Sequence, residues 1–181
     1  NVDLAVRFYD ESTEAALNYF SQFDNDDWKQ SAAFVAIVRR FFNTINVKNP
    51  TMENRKRDET RKPVRRDDRT PLIFLREFLE WVKEWQSMPT KMKLSNETFF
   101  TLRYTLRGLT ELCDYLFDTT DLAYVLLGKI NSDPIEHRFG VYRQLSGANF
   151  FVSLKQFLEN EKKLHLRCLI RFDGMTVNEI K

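Results

Sequence analysis

The sequence predicts a mainly α-helical protein, and three observations carry that prediction. Apolar residues recur at three- and four-residue spacing through most of the 181 positions, the spacing of one face of a helix. Only five Gly and five Pro interrupt the chain, and Thr70-Pro71, Asp133-Pro134 and Ser146-Gly147 stand where helices begin or end. Hydrophobic residues make up 43% of the sequence, with 16 Phe and three Trp, enough apolar surface for helices to bury a real core. There is no internal repeat.

The elements follow in order. Residues 2–20 place Val6, Ala15, Leu17 and Phe20 among charges and predict a first helix; residues 28–45 predict a second, with Ala32, Phe34, Val35, Val38, Phe41 and Phe42 at mixed spacing. Both faces need a partner surface. Thr70-Pro71 predicts a cap and first turn for a helix running to Trp85, whose stripe is Leu75, Phe78, Leu79 and Val82, and Met88-Pro89 ends it. Ser95 caps the longest helix, where Phe99, Leu102, Leu106, Leu109, Leu112, Cys113 and Leu116 recur over about six turns. The apolar run 123–127 fits a strand or a buried helical turn; periodicity does not decide between them, and a helical turn is favoured. A helix from Asp133 to about Leu145, a break at Ser146-Gly147, and a last helix from Asn149 through Val152, Leu154, Phe157 and Leu158 complete the chain. Trp81, Trp85, Phe99 and Phe100 read as core at this spacing rather than as a platform for bases.

The net charge of +2 excludes nothing by itself, but its distribution is uneven. Residues 48–70 hold nine basic and five acidic side chains with almost no apolar ones, and Pro50 and Pro63 fall among them. That composition predicts a basic linker, open or disordered. Arg55, Lys56, Arg57, Arg65 and Arg66 within it are candidate phosphate contacts, because cations along a duplex displace its counterions. The interleaved acids Asp58, Glu59, Asp67 and Asp68 weaken the field and favour a solvated connection. No segment approaches the roughly 20 apolar residues of a membrane span, and a soluble compartment with no membrane partner is expected. Cys113 and Cys168 lie on amphipathic segments without framework spacing and read as reduced core thiols. With His137 and His165 they match no common zinc-finger spacing, and no phosphate-binding G-x-x-x-x-G-K-[ST] loop is present.

The most informative stretch runs from Asp133 to Arg143, Asp-Pro-Ile-Glu-His-Arg-Phe-Gly-Val-Tyr-Arg. Asp133 suits the N-cap, Pro134 the first helical position and Glu136 the third position of a capping box. The same two carboxylates, one turn apart at the mouth of a helix, could also face one cavity and hold a metal ion.

Residues 129–140, followed by Arg143 and the Ser146-Gly147 turn, resemble the C-terminal catalytic segment of P element-type transposases, which are DNA transposases with an RNase H-like core. Residues 1–10 look like the helix that opens the family's insertion domain, and 94–99 and 105–116 look like its last insertion helix. The resemblance implies a helical insertion domain over 1–122, with the basic linker 48–70, and the C-terminal helical part of an RNase H-like catalytic domain over 123–181. It implies metal-dependent DNA cleavage and strand transfer, with Mg2+ or Mn2+ held by two aspartates and a glutamate. Glu136 matches the glutamate. The resemblance implies that the aspartates lie before residue 1; separately, the chain opens on Asn rather than Met and is expected to be a piece of a larger protein, inactive alone. Asp133 is an auxiliary ligand or only a cap. Arg138 and Arg143 are candidate DNA contacts, with Arg143 preferred because it matches the family's motif. The resemblance further implies GTP as a ligand of the insertion domain, transposon ends and target DNA as partners, a homo-oligomer in the full-length protein, and the nucleus as its place of action. Two other readings stay open: a transposase-derived host protein that binds DNA or protein without catalysis, and an unrelated helical interaction module.

Overall fold

The computed structural model describes residues 2–23, 27–89 and 92–172; the tail 173–181 of the expected catalytic segment lies outside them. The described chain is mainly α-helical and forms two compact units, Asn1–Ile130 and Asn131–Lys181. Among the described residues no helix is long and apolar enough to cross a membrane.

In the first unit, α1 (Val2–Phe8) and α2 (Glu11–Phe20) replace the single helix expected over 2–20. Asp10 takes an extended backbone between them, and its carboxylate accepts the Glu11 N–H at 2.7 Å. The apolar period continues past this break, which is why periodicity alone hides it. Helix α3 (Asp27–Ile45) lies against α2, pinned by Arg39, which pairs with Glu11 at 3.1 Å and Glu14 at 2.6 Å. The core is centred on α5 (Thr70–Ser87), where Leu72 and Leu75 are fully buried with Phe78, Leu79 and Val82. Phe41 of α3 stacks on Phe78, their ring centroids 4.5 Å apart. Leu106, Cys113 and Phe117 close the core from α6 (Asn96–Thr119). Ser95 caps α6 as expected, its hydroxyl accepting the Thr98 N–H. At α5 the cap position is Arg69 rather than Thr70, and the carboxylate that ties down the first turn comes from two residues before Thr70: Asp68 accepts from the Thr70 N–H at 3.0 Å and from its hydroxyl.

The basic segment is not the open linker expected. It folds into α4 (Met52–Lys56), a 3-10 turn (Glu59–Arg61) and strand β1 (Val64–Arg65), with Pro63 and Val64 buried. β1 pairs antiparallel with β2 (Tyr124–Val125), Val64 opposite Val125 and Arg65 opposite Tyr124. The run 123–127 is therefore a short strand leading into a second 3-10 turn (Leu127–Lys129), not the helical turn that the sequence favours.

The second unit is a helical pair, α7 (Asp133–Leu145) and α8 (Leu154–Phe172). Gly147 and Ala148 adopt positive φ of 77° and 60° at the expected break. Helix α8 starts five residues later than the apolar pattern suggests. Ser153 and Gln156 form a reciprocal capping box, the Ser153 hydroxyl accepting the Gln156 N–H at 3.3 Å and Gln156 Oε1 accepting the Ser153 N–H at 2.9 Å. Cys113 is buried, but Cys168 is exposed rather than part of a core.

Candidate active site

The entry to α7 is built by Ser132, not Asp133. Ser132 occupies the cap position, its carbonyl accepts the Glu136 N–H at 2.9 Å, and its hydroxyl donates to Glu136 Oε1 at 2.5 Å. Asp133 is the first helical residue; its N–H donates to Asn131 Oδ1 at 3.1 Å. The expected Asp133 cap is thus corrected by one position, because the three polar residues before Pro134 share the work of the turn. Glu136 is exposed, with one carboxylate oxygen oriented by Ser132.

Helical spacing then divides α7 into two faces. Glu136, Phe139 and Arg143, at i, i+3 and i+7, line an open groove of about 560 Å³ together with Tyr142, Phe150, Val152, Leu154 and Phe157. The Arg143 guanidinium lies 5.5 Å from the Phe150 ring centroid, a cation–π distance. The other face holds α8. Arg138 forks onto Glu161, Nη2 reaching Oε1 at 2.8 Å and Oε2 at 3.0 Å, and its Nε donates to the Tyr142 hydroxyl at 2.9 Å. The Tyr142 hydroxyl in turn donates to Glu161. Asn160, 2% exposed, donates to the Tyr142 carbonyl at 3.1 Å and to Ser146 Oγ at 2.8 Å. Of the two arginines expected to meet DNA, Arg138 is engaged inside the unit and Arg143 faces the groove beside Glu136.

Among the described residues no three His, Cys, Asp or Glu side chains gather as a metal-holding group. The exposed carboxylate of Glu136 suits one place in the oxygen shell of Mg2+ or Mn2+, and Asp133 is one turn away; hard cations of this kind retain water and take the remaining oxygens from substrate and other carboxylates.

The basic residues of the first unit separate in the same way. Arg66 donates to the Phe117 carbonyl at 2.7 Å and to that of Thr120, closing the C-terminus of α6, where cations complement the unsatisfied carbonyls. Arg65 lies in β1. Arg55 and Lys56 occupy the last turn of α4, Arg57 follows with φ 51°, and all three are exposed. Sequence reasoning missed Ser132, Asn160 and Glu161. Ser132 had a local signal, a hydroxyl four residues before Glu136; the other two act across helices and left none.

The described residues form a mainly α-helical fold. They are similar to a chain of the solved Drosophila P element transposase strand transfer complex, with a TM-score of 0.68 and 20% sequence identity over 88% of this chain. The match covers 35% of that chain, so the present sequence spans about a third of its length. No family model matches the sequence, and no curated protein matches it.

Proposed function

We propose that this chain is part of a P element-type DNA transposase, comprising its helical insertion domain over 1–122 and the C-terminal part of its RNase H-like catalytic domain over 123–181. The observation that carries the reading is Glu136: within a fold of this similarity, it stands in the first turn of α7, oriented by Ser132 and facing one groove with Arg143. Glu136 is then the third acidic residue of the active site, completing a set whose two aspartates lie outside this chain. Arg143 binds a phosphate of the DNA end, and Asp133 serves as auxiliary ligand. Mg2+ or Mn2+, if bound by these carboxylates, would polarise a phosphoryl oxygen and lower the pKa of a bound water. Glu136 would supply one carboxylate oxygen to hold the ion, and Arg143 would offset charge on the phosphate.

In this reading the full-length protein acts in the nucleus, as a homo-oligomer, on transposon ends and target DNA. GTP is a proposed ligand of the first unit with no residues assigned. The second reading is a transposase-derived protein that binds DNA or protein without catalysis. Incubating purified 1–181 with end-containing duplex and Mg2+ tests the division of labour. The expected result is no nicking, because one glutamate does not assemble a two-ion site. Mg2+-dependent nicking that disappears with Glu136→Gln would overturn the reading.

A further inference from the structure

The basic segment owes its order to Asp58. Its Oδ1 accepts the Thr60 N–H at 2.9 Å and the Thr60 hydroxyl at 2.6 Å, while Oδ2 accepts Asn43 Nδ2 and Arg61 Nε, each at 3.0 Å. Asn43 is 4% exposed in α3 and also donates to Thr60 Oγ1. The Asp58 N–H donates to the Glu53 carbonyl at 3.1 Å, closing α4 around Arg57. Arg57, at φ 51°, therefore occupies a left-handed position that ordinarily goes to Gly or Asn.

Seven of the segment's nine cations then fall into two groups. Arg61 pairs with Asp58 at 3.0 Å, Lys62 lies within 4.0 Å of Glu53, Glu59 and Asp68, Arg66 closes α6, and Arg69 pairs with Asp114 at 3.2 Å. Arg55, Lys56 and Arg57 are consecutive and exposed, and among the described residues no ion pair engages them. We infer that Arg55, Lys56 and Arg57 form a fixed cationic face for the phosphates of duplex DNA, and that Asp58 is the positioning residue that holds it in place. The inference rests on the DNA-binding reading above and adds where on the first unit the duplex is met. A fixed face binds without the ordering cost that a disordered arm bears.

The test is fluorescence anisotropy of a labelled duplex of arbitrary sequence, about 30 base pairs long, titrated with purified 1–181 at salt between about 50 and 200 mM. Wild type should bind weakly with a steep salt dependence. Replacing Arg55, Lys56 and Arg57 together by Gln should reduce the slope of log affinity against log salt by up to roughly 2.7, about 0.9 per phosphate contact. Asp58→Ala separates positioning from charge, because removing an acid raises the net charge and by charge alone should tighten binding. We expect instead several-fold weaker binding and a slope approaching that of the triple variant, with partial rescue by Asp58→Asn, which keeps an acceptor for the Thr60 N–H. Circular dichroism checks that each variant is folded; should Asp58→Ala fail to fold, Asp58→Asn carries the comparison and must still bind more weakly than wild type. Absence of wild-type binding would sink the DNA reading itself. Wild-type binding that the triple substitution leaves unchanged would overturn the proposed face alone, and a folded Asp58 variant that binds as tightly as wild type, or more tightly, would overturn the positioning role.

Discussion

Adding one methyl group at Gly128 should destabilise the first unit, whereas adding one at Gly108 should stabilise it. The Gly128 N–H donates to the Val47 carbonyl at 3.0 Å. A Cβ at Gly128 would meet the Asn46 carbonyl carbon at 2.7 Å, its oxygen at 2.9 Å and Lys48 Cγ at 2.9 Å. Lys48 can swing aside, but the Asn46 atoms are backbone, so the 3-10 turn after β2 must move away from the end of α3 or carry the strain. Overpacking of this kind costs about 1–3 kcal/mol, which at roughly 2–6 °C per kcal/mol for a unit of this size predicts a melting temperature lowered by several degrees. Gly108 sits within α6, and a Cβ there would meet nothing within 4 Å. Ala is favoured over Gly in a helix interior by about 0.8–1.0 kcal/mol, so Gly108→Ala should raise the melting temperature. Thermal melts followed by circular dichroism, run beside urea titrations, read both. A Gly128→Ala protein as stable as wild type would refute the packing deduced for this turn, and a Gly108→Ala protein that is destabilised would refute the open space deduced at Gly108 in α6.

Three further outcomes follow from the same contacts. Burial, reinforced by the neighbouring Asp114 charge, pushes the Cys113 thiol up to about 11, so a thiol reagent near neutral pH should modify exposed Cys168 and reach Cys113 only after denaturation; rapid labelling of Cys113 in the folded protein would contradict its place in the core. Burial acts to raise the Asp58 carboxyl, but the hydrogen bonds from Thr60 and Arg61 and the Arg61 charge outweigh it and hold it below its ordinary 3.8. A depressed folded value means stabilisation that is present above the unfolded value and lost as pH falls through the folded one, so the stability gap between wild type and Asp58→Asn should be widest above about pH 5 and close below about pH 4; a gap independent of pH would refute that assignment. Asn160→Ala should cost about 1–3 kcal/mol, since it strips partners from the Tyr142 carbonyl and the Ser146 hydroxyl, and a denaturation midpoint equal to wild type would show that this buried amide does not hold α7 to α8.

Helix α3 was legible from its apolar spacing and α7 from Pro134, whereas α5 and α6 combine an apolar stripe with a local start signal, such as Ser95 before α6. The basic segment was not, since the lock that orders it joins Asp58 to Asn43 in another helix. The β1–β2 pair joins two-residue strands about sixty positions apart, too short to show alternation. Val152 extended the apolar pattern ahead of α8, although the Ser153-x-x-Gln156 box marks its true start. At the candidate site, the position of Glu136 in the first turn could be read from Pro134, but the engagement of Arg138 by Glu161 depends on helix pairing that no spacing within α7 reveals.

Strand cleavage by the full-length protein tests the central claim most directly, with Glu136→Gln and Asp133→Asn compared on a transposon-end duplex in Mg2+. Both substitutions keep side-chain size, and both side chains are exposed, so thermal stability should stay near wild type. Ligation is the more demanding role. Glu136→Gln should abolish cleavage while Asp133→Asn retains at least part of it. Full cleavage by the Glu136→Gln protein would contradict the account, leaving Glu136 as the carboxylate that Ser132 ties into the first turn of α7 and nothing more.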